Sequence, residues 1–253
     1  LNDINAYANY VNSIGGNVRL EVGEQDSLTY IAAEKLFNRG NNEEARRSLI
    51  NYLQTFPEGA FSSNANYYLG SIAFTKKEYD EALQRFKSVI DNGDTKFLEE
   101  SVARTAEMQY LTQDFASALE TFKRLQVIAE NPENKQAARL GIMRCALQTG
   151  QQEEAQLAAN ELLKDPKLSP EVEAEARYIR AKAYIDHKQP AKALEDLKVL
   201  SKDTRTAHGA EAKYLLAQYF YDTKDDKNAE KILEDFAKNG TPHQYWLARG
   251  FIL

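Results

Sequence analysis

The chain has 253 residues, 43% hydrophobic and 28% charged, with 12 Gly and 6 Pro, which excludes wholesale disorder and argues against a loop-rich β-sandwich. A net charge of -6 argues against nucleic acid or an anionic membrane surface as a partner. One cysteine, Cys145, excludes an internal disulfide and a cysteine metal cage, and no apolar run approaches the ~20 residues needed to insert across a bilayer.

Residues 1–26 read as a lead-in. The stretch DINAYANYVNSIGG (3–16) has helical spacing, with Asp3 as a cap and Gly15-Gly16 as a stop. NVRLEVGEQD (17–26) alternates Val18, Leu20 and Val22 and predicts an extended connector or short strand. The leading helix would close a preceding repeat. The opening Leu1, in place of Met, is read as the mark of a processed or excised form.

From residue 27 onward one pattern recurs. YYLGSIAFTKKEYDEALQRFKSVI (67–90) places Leu69, Ala73 and Phe74 on one helical face and Ala82, Phe86, Val89 and Ile90 on another. That predicts two amphipathic helices joined at TKKEYD, a helical hairpin that cannot bury its apolar faces alone. Its turn-proximal alanine has counterparts throughout: Ala45, Ala82, Ala118, Ala155, Ala193 and Ala229, at intervals of 36 to 38 residues. Twelve residues before each stands Ala33, Gly70, Ala106, Met143, Ala181 or Ala217. So regular a period predicts six hairpins. The small residues let paired helices approach closely. Met143 interrupts one column and Ala159 a column of larger residues (Leu49, Phe86, Phe122, Leu197, Leu233), so the fourth hairpin is expected to be splayed or repacked locally, the oversized residue offsetting the undersized one.

Proline and capping residues punctuate the joints: FPEGAFS (56–62), NPEN (131–134) and DPKLSPE (165–171). Ser169-Pro170 predicts an N-cap and first helical residue, and TPHQ (241–244) a capping box opening a seventh first helix. That half repeat ends in an apolar Phe-Ile-Leu, so the parent protein is expected to continue.

The pattern L-G-x-x-x-F-x-x-x-x-Y-D-x-A-x-x-x-F (69–86) closely resembles the tetratricopeptide repeat, and 102–125 and 214–233 resemble it less fully. The period here is longer than the family's 34 residues. The resemblance covers about 27–253 and implies an all-α, right-handed superhelical solenoid of six full hairpins plus a trailing half repeat. Stretches such as EQDSLTYIAAEKLF and GTPHQYWLAR also resemble large multi-repeat proteins of the Bacteroidetes cell envelope. This implies a periplasmic or envelope location, with the cytoplasm as the alternative.

In that family the first helices line the concave face. By alignment one inward column reads Tyr30, Tyr67, Ala103, Leu140, Tyr178, Tyr214, Tyr245, and another, one turn on, Phe37, Phe74, Tyr110, Leu147, Ile185, Tyr221, Ile252. Between them run Glu34, Ser71, Glu107, Arg144, Lys182, Gln218 and Arg249, acidic first and basic last. Tyr30, Tyr67, Phe74, Tyr110, Arg144, Tyr178, Lys182, Tyr214, Tyr221, Tyr245 and Arg249 are the candidate partner-binding residues. Two readings stand: a groove for an extended peptide or partner helix, or rings that pack against the next repeat. A clamp for a carboxylate terminus is not expected, because Ser27, Tyr30, Glu34, Asn64, Tyr67 and Ser71 include no basic residue.

Signals for catalysis are thin. His187, His208 and His243 fall near inter-helix turns, and neither a metal-binding HExxH, a Gly-rich phosphate loop nor G-x-S-x-G occurs. Asp222, Asp225 and Asp226 read as turn residues and Cys145 as a small packing residue. The expectation is therefore a non-enzymatic scaffold without cofactor or metal, holding a protein or peptide partner in envelope assembly or maintenance. A glycan-binding module using the tyrosines is the alternative.

Overall fold

The computed structural model describes residues 21–253 except Asp94, together with Tyr10, Ser13 and Ile14. The helix expected over 3–16 and the start of the 17–26 connector lie largely outside the described residues. Among the described residues there are thirteen helices and no strand, the all-α repeat architecture expected. They are α1 (Val22–Asn38), α2 (Asn42–Thr55), α3 (Ser62–Thr75), α4 (Tyr79–Asn92), α5 (Leu98–Leu111), α6 (Phe115–Ile128), α7 (Pro132–Gln148), α8 (Gln152–Leu162), α9 (Pro170–Asp186), α10 (Pro190–Leu200), α11 (Ala207–Asp222), α12 (Asp226–Asn239) and α13 (Gln244–Ile252). Two compact units comprise residues 1–113 with 128–130, and residues 114–127 with 131–253. The first holds the hairpins α1/α2 and α3/α4 with α5. The second holds most of α6, the hairpins α7/α8, α9/α10 and α11/α12, and α13.

The alanine ruler marks the hairpin seams. All six alanines are buried, as are all six members of the column twelve residues earlier. Where Gly70 faces Phe86, a Cβ on the glycine would stand 2.9 Å from the ring, so the close approach needs a residue without a side chain. Ala82, fully buried on the same seam, leaves no room for more. Ala82→Leu is expected to cost about 1–3 kcal/mol through overpacking, and an unchanged melting temperature would dismiss the seam assignment. In the fourth hairpin Met143 on α7 and Ala159 on α8 are both fully buried.

A second ruler sets the chain reversals. Gly40, Lys77, Gln113, Gly150, Lys188 and Lys224 all have φ between 57° and 76°, one at each hairpin turn. After Phe74, Lys77 donates its N–H to the Phe74 carbonyl and Glu78 to that of Ala73, closing the helix end. Left-handed backbone costs a β-branched side chain most. Lys188→Val should therefore lose about 1–2 kcal/mol in urea unfolding, while Lys188→Gly loses none.

Capping follows the sequence at α7 and α9. The Asn131 side chain accepts from Glu133 N–H at 2.8 Å ahead of Pro132, and Ser169 Oγ accepts from Val172 N–H at 3.3 Å ahead of Pro170. Two boundaries are corrected. The extended connector or strand expected through residue 26 gives way to helix from Val22, because Glu21 N–H donates to Glu24 Oε2 at 3.1 Å and starts the helix there. α13 begins at Gln244, not at Pro242. Thr241 Oγ1 accepts from His243 N–H at 3.0 Å, ahead of the helix, and donates to the Thr204 carbonyl at 2.6 Å, and Thr204 Oγ1 donates to the Gly240 carbonyl at 3.0 Å.

Asp26, on the first turns of α1, organises the joint after α2. Its carboxylate accepts from the Tyr52 hydroxyl at 2.5 Å and from Ala60 N–H at 2.8 Å, and Tyr52 accepts in turn from Phe61 N–H at 3.0 Å. A buried carboxylate is affordable here because each oxygen has a donor.

Candidate partner-binding face

The tyrosine column divides the candidate residues by what their rings already touch. Tyr30 is buried and stacks on Phe61 with centroids 4.4 Å apart. Tyr67 stacks on Phe97 at 4.1 Å and Tyr178 on His208 at 3.9 Å, both half-buried. Tyr214 is buried under Trp246, with centroids 5.6 Å apart, and the Arg249 guanidinium lies 4.5 Å from its ring centre. Each stacking ring arrives about thirty residues later in the chain, at or just before the start of the next first helix. Tyr30 and Tyr214 are therefore among the core residues, their rings covered by Phe61 and by Trp246. The recurrence of Phe61 and Phe97 ahead of successive first helices was the sequence signal for this packing.

The hydroxyls are committed too. Tyr30 donates to Glu34 Oε1 at 2.5 Å and accepts from Asn64 Nδ2 at 3.1 Å; Tyr178 donates to Glu211 Oε2 at 2.8 Å. Burial first, and then the adjacent carboxylate, push both phenols well above the usual tyrosine range, so both remain donors.

The charged column is also internally matched. Glu34 accepts from Tyr68 at 2.9 Å, and Glu107 pairs with Arg104 at 3.0 Å. Arg144 on α7 grips Glu175 on α9 with Nε 2.9 Å from Oε1 and Nη2 2.7 Å from Oε2, and Lys182 on α9 reaches Glu211 on α11 at 3.0 Å. The acidic-to-basic switch seen in the sequence is therefore largely absorbed by pairs, two of them ion pairs that join successive repeats.

What stays available lies one helical turn on. In the second unit Leu147 and Tyr221 of that column are 44% and 43% exposed and Ile185 is half-buried, while Tyr245, the last member of the tyrosine column, is 64% exposed. Arg249 sits over Tyr245 as well as Tyr214, its guanidinium 6.0 Å from the former ring. In the first unit Phe74 is half-buried beneath the Arg104 guanidinium at 5.1 Å, and Tyr110 is half-buried on α5. Between α7 and α9 a cleft of about 230 Å³ opens beside Leu147, Ala155, Tyr178 and Lys182. A larger groove of about 480 Å³ lies between α12 and α13, floored by Leu233, Phe236 and Gly250.

Two of the histidines and one of the turn aspartates are engaged within the fold. The ring of His208 is in its stack, His243 Nε2 lies 3.1 Å from the Arg205 carbonyl, and Asp225 caps α12 by accepting from Asn228 N–H at 3.3 Å. Cys145 is fully buried, and burial pushes its thiol up to about 11. At pH 9, where an exposed thiol is largely ionised, Cys145 should stay protonated. A disulfide reagent should therefore titrate it only after denaturation, and stoichiometric reaction with the native protein would contradict its placement.

Residues 32–96 match the tetratricopeptide repeat family model. No curated protein sequence matches the chain. Among solved structures, the C-terminal part of a tetratricopeptide-repeat protein from Cytophaga hutchinsonii is similar at 14% identity and TM-score 0.55, with 92% of this chain and 88% of that one covered. YrrB, described as a tetratricopeptide-repeat protein with an unusual peptide-binding site, is similar at 18% identity and TM-score 0.53, covering 78% of this chain and 91% of its own. PilF of Pseudomonas aeruginosa is similar at 13% identity and TM-score 0.50, covering 88% and 96%. At these identities the likeness is one of fold.

Proposed function

We propose that the chain, of which residues 32–96 match the tetratricopeptide repeat family model, is a non-enzymatic scaffold whose first-helix face in the second unit holds an extended peptide or a partner helix. The observation that carries this reading is the exposure of Leu147, Tyr221 and Tyr245 on the first helices α7, α11 and α13, with Lys182 on α9 and Arg249 on α13. Aromatic and aliphatic side chains recurring on rigid helices, with cations between them, suit a ligand that crosses the helices. A peptide-binding site named for YrrB agrees with this reading without locating one here.

The glycan alternative would rest on Tyr221 and Tyr245, because Tyr30, Tyr67, Tyr178 and Tyr214 already stack or pack on neighbouring groups. Probing the immobilised protein with envelope extract and with polysaccharides separates the two readings. Protein retention reduced by Tyr221→Ala with Leu147→Ala is expected. Carbohydrate retention alone, lost in Tyr245→Ala, would overturn the scaffold. The envelope role is proposed on the resemblance of stretches such as EQDSLTYIAAEKLF. Recovery of the native protein in the periplasmic or membrane fraction tests it, and recovery in the cytoplasm would reject it.

A further inference from the structure

The cleft between α7 and α9 has a cause that the repeat itself discloses. Two residues after the small-residue column, successive first helices carry Lys35, Ile72, Met108, Cys145, Ala183 and Tyr219. Ile72 and Met108 are buried, and Met108 packs against Ala73 and Ala82 of the hairpin before it. The same register in the second unit sets Ala183 toward α7 and α8, where Ala155 occupies the place of Ala82. Ala183 is the smallest side chain in the column, and the space that Met108 fills from within is left open here. Tyr178 walls the cleft, held by its stack on His208 and its bond to Glu211. Leu147 and Ile179 add apolar surface. At the rim Lys182 is paired with Glu211, whereas Asp186, exposed at the end of α9, has no ion-pair partner among the described residues.

We propose that this cleft is a side-chain pocket taking one large aliphatic residue, of leucine, isoleucine or methionine size, from an extended partner peptide that carries a lysine or arginine beside that residue. This deepens the scaffold reading and rests on it. The anchor replaces from outside the side chain that other repeats supply from inside, in a water-excluding seat that is worth more than surface contact. The neighbouring cation answers Asp186, the one carboxylate of the rim left free, and sets which residue follows the anchor. A pocket of about 230 Å³ is below the usual size for a whole small ligand and suits a single side chain.

The test is selection of a phage-displayed random peptide library on the protein, followed by titration of the strongest synthetic peptide. Selected sequences should share a large aliphatic residue adjacent to Lys or Arg. Ala183→Met and Ala183→Ile, which install side chains the array already accommodates at Met108 and Ile72, should weaken binding about ten-fold or more. Asp186→Asn should weaken it about three-fold, and less at high salt. Peptides that bind equally well to both Ala183 variants but lose affinity with Tyr221→Ala would overturn the pocket and leave the scaffold face standing. No enrichment of any peptide would overturn both. Unfolding of both Ala183 variants would show that the space cannot admit a side chain and would equally overturn the pocket.

Discussion

Asp196→Ala is expected to lower stability by about 3–5 kcal/mol, the cost of removing one partner from a buried ion pair. Asp196 lies on α10 at 1% exposure and serves two arginines of α9. Arg177 Nη1 approaches Oδ1 at 2.8 Å, while Arg180 places Nε 2.7 Å from Oδ2 and Nη2 2.7 Å from Oδ1. Without the carboxylate two half-buried guanidiniums face each other across a desolvated gap, with Glu173 left to hold only Arg177. Asp196→Asn should cost less, because an amide oxygen still accepts from one arginine. Urea unfolding followed by circular dichroism reads both. A loss below about 1 kcal/mol for Asp196→Ala would mean that the pair behaves as a surface contact.

Phe86→Ala is expected to cost about 3–5 kcal/mol, because a fully buried aromatic ring is replaced by a cavity. The ring lies across Gly70 and 6.0 Å from Tyr67, so its loss opens the α3/α4 seam along its length. Gly70→Ala in the native background should also destabilise, since the added methyl meets the ring. The same substitution introduced into Phe86→Ala should be milder or favourable. That departure from additivity, measured as a double-mutant cycle, is the specific signature of the contact. Additive costs would place the two residues on separate packing surfaces.

Much of the architecture was legible because close helix approach leaves few choices of side chain. Ala45, Ala82 and Ala118 recur where anything larger would collide, and the period could be read from them directly. Caps were legible where proline fixes the first helical residue, as at Pro132 and Pro170. TPHQ misled because Thr241 Oγ1, while donating to a carbonyl 37 residues away in sequence, accepts from the N–H of His243, which lies ahead of the helix. Val22–Asp26 misled because alternation over a few residues is weak against a helix start set by Glu21 and Glu24. The candidate site was legible only in part. Periodicity gives the side of the helix a tyrosine faces, but its neighbour there comes from the following repeat. Asp196 escaped altogether: in ALEDL it reads like any polar residue of a solvated helix face, and its burial depends on arginines contributed by another helix.

The rings that cover Tyr30, Tyr67 and Tyr178 have a consequence for modularity. Phe61, Phe97 and His208 each lie beyond the hairpin whose tyrosine they complete. The exchangeable segment is therefore not a hairpin cut at its connector. A copy duplicated, deleted or grafted at that boundary leaves one tyrosine bare and strands one aromatic without a seat. Cutting after the first turn of the following helix keeps each pair on one fragment. Lineages that gain or lose repeats of this type should show their breakpoints there, inside a helix, and not in the loops where domain boundaries are usually sought.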